Sequence, residues 1–297
     1  MSESHPPQIR LDRISQRTAL IHRLKKENRH DLAARLAKCG QPLTLRCIAC
    51  TAPRECFTRC DLKWCPSCQY ALAARTAERY KKIMHAIKWP LTATLTAQNF
   101  AYDESDAVRQ IRRAWGRLRR LRWFRTRVRG GVTAFEVTDT GNGFHVHAHA
   151  LFDCRWFAVG TSPPRVGSTR EIWKAAGRSA ALEVAEQWSL CCRRPASMRV
   201  RRVWSRDAGD ISAALAETLK YATKGSDLAD ETKARSASAI IDQIDRCRMV
   251  TSFGSCFGLP EFKRTRAAPA MCGCGCSDWL PETVMAETEF RAARKRR

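Results

Sequence analysis

Residues 143–152 read Gly-Phe-His-Val-His-Ala-His-Ala-Leu-Phe, with a histidine at every second position from 145 to 149. Strand side chains alternate between faces. His145, His147 and His149 therefore share one face, and Phe144, Val146, Ala148, Ala150 and Phe152 take the other. The segment from Val132 to Thr138 alternates in the same way, with Phe135 and Val137 on the apolar face and Glu136 opposite. A hairpin closed by the loop 140–143 sets Glu136 across from His147, with Cβ atoms about 5 Å apart. A carboxylate and imidazoles on one face, with coordination positions to spare, suit Mn²⁺ or Mg²⁺ acting on phosphate. The alternation alone leaves open which two histidines join the carboxylate.

A second constellation lies at 209–224, where Asp210 is a candidate N-cap and Gly225 a stop. Ile211, Leu215, Leu219 and Ala222 form the packed stripe of a helix. Glu217, Tyr221 and Lys224 fall at i, i+4 and i+7 on the other side. A phenol beside a cation is a nucleophile once deprotonated, and a carboxylate one turn away can act as general base.

Two further groups point to binding. Cys47-x₂-Cys50 and Cys65-x₂-Cys68 are separated by fourteen residues, a spacing that closes a tetrahedral Zn²⁺ site. Cys56 and Cys60, inside that loop, are alternative ligands. Cys272-Gly-Cys-Gly-Cys276 reads equally as metal-binding or incidental. The stretch 108–124 carries Arg109, Arg112, Arg113, Arg117, Arg119, Arg120 and Arg122. No acidic residue lies between Arg109 and Arg129, so phosphate contact is the expected use of Arg112, Arg113, Arg117, Arg119 and Arg120.

The elements that must position these groups follow from periodicity. Helices are predicted at 8–38, 69–88, 104–124, 169–191, 210–224 and near 235–248. Strands are predicted at 91–96, 132–138, 144–152 and 198–204, with Gly130-Gly131 as a break before the second. The 297 residues hold 53 Lys+Arg against 29 Asp+Glu, a net charge of +24, and residues 1–130 alone carry 28 against 10. At 44% hydrophobic the chain is too apolar for a disordered basic tail. No apolar run is long enough for a membrane span, and the polar first ten residues with Pro6-Pro7 do not read as a signal peptide. The charge asks for a polyanion, nucleic acid before an acidic membrane surface. Fifteen cysteines without a secretion signal read as metal ligands before disulfides.

Three ordered segments resemble the rolling-circle replication initiators of small bacterial plasmids, the Rep proteins of the HUH endonuclease superfamily. Leu91-Thr92-Ala93-Thr94-Leu95-Thr96 is similar to that family's first motif. His147-Ala148-His149-Ala150-Leu151-Phe152 is similar to its second, and Glu217 to Lys224 to the tyrosine motif of the single-tyrosine class. The cysteine region with Cys39-Gly40 resembles the N-terminal zinc segment that part of the family carries.

The resemblance implies an α+β chain: a helical and zinc-binding segment at 1–88, a ferredoxin-like nuclease core with a central antiparallel sheet at 89–228, and a helical, basic and cysteine-rich tail at 229–297. It implies a divalent metal on His147 and His149, with Glu136 or His145 as third ligand. Tyr221 would attack a phosphodiester at the plasmid origin, in a single-stranded or hairpin region, leaving a 5′-phosphotyrosyl link and a 3′-OH primer. Glu217 would activate water for resolution, and Lys224 would stabilise the phenolate or the phosphate. Host helicase and polymerase are the further partners, in a bacterial cytoplasm. The competing readings are an HUH-type transposase and a non-catalytic zinc-dependent DNA-binding regulator.

Overall fold

Strands with one apolar face must pair with that face turned to a shared core, and the pairing observed obeys this. In a computed structural model, the described residues are 7–80, 83–139, 141–157, 168–203, 208–220, 226–232, 235–245, 247–258 and 271–282. They form an α+β fold. Helices α1 (Pro7–Lys26) and α2 (His30–Ala37) lead into the hairpin β1 (Pro42–Cys47) and β2 (Pro53–Phe57). After α3 (Gln69–Tyr80) and α4 (Ile83–Ala86) come β3 (Pro90–Ala97), α5 (Ala107–Arg120), α6 (Arg122–Arg127), β4 (Val128–Asp139) and β5 (Phe144–Cys154). Then follow α7 (Arg170–Cys192), β6 (Ala196–Arg202), α8 (Ala208–Lys220), α9 (Ala237–Asp245), β7 (Val250–Gly254) and β8 (Trp279–Pro281).

The central sheet has five strands in the order β6-β3-β5-β4-β7, every pair antiparallel. A second sheet orders β2-β1-β8. The segment from 229 onward, expected as a tail, thus supplies a strand to each sheet. On one face of the central sheet Trp115 of α5 stacks on Phe152 at 5.7 Å between ring centroids. Phe124, Phe157 and Phe253 close around the pair. On the other face, Val132 and Leu151 are covered by Ile211, Leu215 and Leu219 of α8 and by Tyr80, Ile83, Met84 and Ile87. Ile211, Leu215 and Leu219 of the apolar stripe expected on α8 are therefore buried against the histidine side of the sheet, and Ala222 lies outside the described residues.

Local expectations change in four places, the first being the helix expected at 8–38, which divides at 27–29 into α1 and α2, with Asn28 at φ +58°. The helix expected at 104–124 divides at Leu121, whose backbone is extended (φ −60°, ψ 137°). Gly130-Gly131 does not break the chain; β4 runs through both. A Cβ on Gly131 would lie 2.3 Å from the Leu151 carbonyl oxygen, so glycine here permits close approach of β5. The strands β2, β7 and β8 carry too little alternation to be read from the sequence, and β1, although Leu43-Thr44-Leu45-Arg46-Cys47 alternates, is not among the predicted strands.

One carboxylate ties the two ends of the helical layer. Glu27, just after α1, accepts the backbone N–H groups of Ala237 (2.9 Å) and Ser238 (2.8 Å) at the start of α9, and pairs with Arg23 at 3.0 Å. An anion at a helix N-terminus meets otherwise unsatisfied donors. Burial works to raise the Glu27 pKa, but the Ser238 and Ala237 donors and the Arg23 guanidinium outweigh it and hold it at about 2, below its ordinary 4.5. A depressed carboxylate stabilises the fold above the unfolded-state pKa and loses that contribution as pH falls through the folded value. Glu27→Gln is expected to cost about 2 kcal/mol in denaturant unfolding at pH 7, after allowance for solvent screening. The gap to the parent chain should narrow as pH falls from 4.5 towards 2. A gap independent of pH would show that the ionised carboxylate is not the source.

Candidate active site

The register β4–β5 sets Glu136 opposite His147, and β3 brings Thr96 opposite His147 on its other side. Ser197, Thr96, His147 and Glu136 thus form one row across four strands, with Arg199, Thr94 and His149 in the neighbouring row. Glu136, only 5% exposed, lies with its Oε2 3.0 Å from His149 Nε2. Thr96 Oγ1 is 2.9 Å from His147 Nδ1, which fixes that ring's orientation. The rings of His145 and His147 lie 4.0 Å apart, those of His147 and His149 5.8 Å. Burial pushes the His145 pKa down and so favours the neutral imidazole, against the Glu136 carboxylate, which favours the charged form.

α8 carries Glu217 as an exposed side chain over this same face of the sheet. Tyr221 and Lys224 lie outside the described residues, just past Lys220. Two cations that periodicity did not single out stand on the histidine face. Arg199 and Arg201 are exposed on β6, in register with Thr94 and Thr92. Their signal was the alternation Met198-Arg-Val-Arg, whose meaning depends on which strand β6 pairs with.

The four cysteines expected to share one site are divided between two. Cys65 and Cys68 join Cys39 and Cys60, while Cys47 and Cys50 join Cys272 and Cys274; within each set all four sulfurs lie within 4.8 Å of one another. In the first set Cys39 and Cys68 are 3.4 Å apart, Cys39 and Cys65 3.6 Å, and Cys60 and Cys68 3.8 Å. A tetrahedral Zn–thiolate site with bonds of ~2.3 Å has edges of ~3.8 Å. The reason for the division is the β1–β2 hairpin. It pairs Pro42 with Phe57 at one end and Arg46 with Pro53 at the other, so its ends stand ~13 Å apart. Cys39 and Cys60 flank the open end and Cys47 and Cys50 the turn. Cys60 was already an alternative ligand; Cys39 follows from α2 ending where the ribbon begins. Among the described residues the histidine face does not draw its donors into so tight a set.

The arginine helix lies behind the sheet. Arg112 sits over the Phe135 ring at 6.0 Å, on the face opposite Glu136. Arg117 donates from Nε and Nη2 to the Cys191 carbonyl, at 2.8 and 2.5 Å, in the last turn of α7, where helix carbonyls lack intrahelical partners. Arg119 lies over Phe253 at 5.2 Å and Trp115 at 5.7 Å, and burial lowers its pKa. Packing thus occupies three of the five arginines expected on phosphate, Arg112, Arg117 and Arg119. Arg113 reaches Asp106 at 3.3 Å across an exposed pair, and Arg120 is exposed. Together with Arg109 these arginines line a groove of about 500 Å³ between α5 and the β4–β7 edge.

This division of labour is testable. Arg117→Ala should lower stability in urea by about 1.5–3 kcal/mol, the loss of charged hydrogen bonds to a helix end. Arg120→Ala should change stability by less than about 0.5 kcal/mol. It should instead weaken binding to any DNA and flatten the salt dependence by about one counterion.

Residues 55–160 match the family model Rep_1, described as Replication protein. The matched segment includes β3, β4 and β5, and so Thr96, Glu136 and all three histidines; it ends before α8. No curated protein and no solved structure matches the chain.

Proposed function

We propose that this chain initiates rolling-circle replication of a plasmid by nicking one strand at the origin. The observation that carries the reading is the row Thr96–His147–Glu136, with His149 hydrogen-bonded to Glu136, inside the segment that matches replication proteins. It lies on the sheet face that α8 covers.

His147 and His149 would hold a divalent ion, Mn²⁺ or Mg²⁺, with Glu136 as the favoured third ligand because it already meets His149. His145, half-buried and biased towards the neutral form, remains available as a neighbour. With Thr96 on Nδ1, His147 would coordinate through Nε2. The ion supplies Lewis-acid polarisation of a non-bridging phosphate oxygen. Arg199 and Arg201, on the same face, suit the flanking phosphates.

Tyr221 is the proposed nucleophile. Its phenolate oxygen bonds to phosphorus, the bond to the 3′ oxygen breaks, and the DNA 5′ end is left as a phosphotyrosyl ester beside a free 3′-OH. Lys224 favours the phenolate, and Glu217 takes the proton from the water that later resolves the ester. The arginine groove behind the sheet suits the non-reacting duplex, through Arg113 and Arg120. Origin DNA is the partner, and host helicase and polymerase act on the product.

The test is a denaturant-stable protein–DNA adduct formed on single-stranded origin DNA with Mn²⁺. Tyr221→Phe should abolish it, and an adduct that survives overturns the nucleophile. Glu136→Gln should raise the Mn²⁺ needed for half-maximal nicking by ~10–100-fold. An unchanged requirement removes Glu136 from the metal. Absence of any adduct on origin DNA would favour a regulator without chemistry.

A further inference from the structure

The cysteines at the far end of the β1–β2 ribbon meet residues from the other end of the described chain. Cys47 Sγ lies 3.6 Å from Cys274 Sγ, and Cys50 Sγ 3.4 Å from Cys272 Sγ, across 227 and 222 residues of sequence. A disulfide requires ~2.05 Å, whereas sulfurs around one tetrahedral cation stand ~3.8 Å apart. Each pair sits on a tight turn. Thr51 N–H bonds the Cys47 carbonyl at 2.9 Å, and Gly275 N–H bonds the Cys272 carbonyl at 2.9 Å. Gly275 has φ +86°, a conformation that favours glycine.

We infer that Cys47, Cys50, Cys272 and Cys274 form a second Zn²⁺ centre, distinct from the Cys39/Cys60/Cys65/Cys68 set, that clasps β8 onto β1. Four thiolates select zinc over the hard cations expected at the histidines. Each ligating thiol releases its proton on binding. The clasp has work to do, because β8 is only three residues long. Its ties among the described residues include three residue pairs to β1, the Ile48 N–H bond to the Asp278 carbonyl at 3.1 Å, the half-buried pair Arg46–Glu282 at 2.9 Å, and Arg54 over the Trp279 ring at 5.5 Å. So short a strand does not hold a chain end against the entropy of closing so long a loop. The two centres also differ in access. Cys50 and Cys274 are exposed, whereas Cys39, Cys65 and Cys68 are buried. The clasp should therefore surrender its metal first. The inference does not depend on the nuclease reading, since no residue of the histidine face takes part.

Elemental analysis of the purified full chain should find two zinc ions per molecule. The double variant Cys272→Ser/Cys274→Ser should retain one, keep the main unfolding transition, and lose its C-terminal segment to limited proteolysis roughly tenfold faster. One zinc in the parent chain, two in the variant, or unchanged proteolysis each overturns the clasp. Should the variant fail to fold, Co²⁺ titration of the metal-stripped and refolded parent decides. Tetrathiolate absorption bands should grow through two equivalents, and chelator should withdraw the first as the C-terminal segment becomes cleavable. Saturation at one equivalent, or withdrawal with no change in cleavage, overturns it.

Discussion

Side chains leave β5 alternately to opposite faces, and the rest of the core is organised by that division. The even-numbered apolar positions from Phe144 to Phe152 are essentially buried, while His145, His147 and His149 emerge on the other side. A slip of one residue in the β4–β5 register would bury the imidazoles and expose the phenylalanines. Register is thus set by the hydrophobic effect, and Glu136 meets His149 as a consequence. Thr96 and Trp188 extend the same logic. Trp188, fully buried under β3, donates its indole N–H to the Thr96 carbonyl, while the Thr96 hydroxyl meets His147. One residue thus links the apolar layer to the polar face.

That division also separates two kinds of positive charge. α5 packs on the aromatic side, so its arginines face away from the histidines, whereas Arg199 and Arg201 share the histidine face through β6. A net charge of +24 is therefore not one patch. Part of it caps α7 through Arg117, part covers aromatic rings through Arg119, and the remainder is distributed over two faces of the sheet. A polymer that used both faces would have to pass around an edge of the sheet.

How much of this was legible in the sequence depended on the range of the interaction. The strands at 91–96, 132–138 and 144–152, the pairing of Glu136 with His147, and the buried stripe Ile211–Leu215–Leu219 all follow from local periodicity, and the structure contains them. Grouping Cys47, Cys50, Cys65 and Cys68 failed because spacing along the chain carries no record of an intervening hairpin. Cys272 and Cys274 could not be placed from sequence, since their partners lie more than two hundred residues away. The arginines misled for a related reason. Composition reports that they are charged, but not that a carbonyl or an indole lies within reach.

The aromatic block behind the histidine strand bears on how the site yields under load. Trp115, Trp123, Phe124, Phe152, Phe157 and Phe253 meet at centroid distances of 5.5 to 6.1 Å, most of them edge to face. Packed rings have the low compressibility of an organic crystal. The strand bearing the imidazoles therefore rests on a stiff backing, and a force applied to its polar face cannot be absorbed by bowing inward. On the opposite side α8 rests on the smaller apolar cluster around Val132 and Leu151, so the polar face is held between two packed layers.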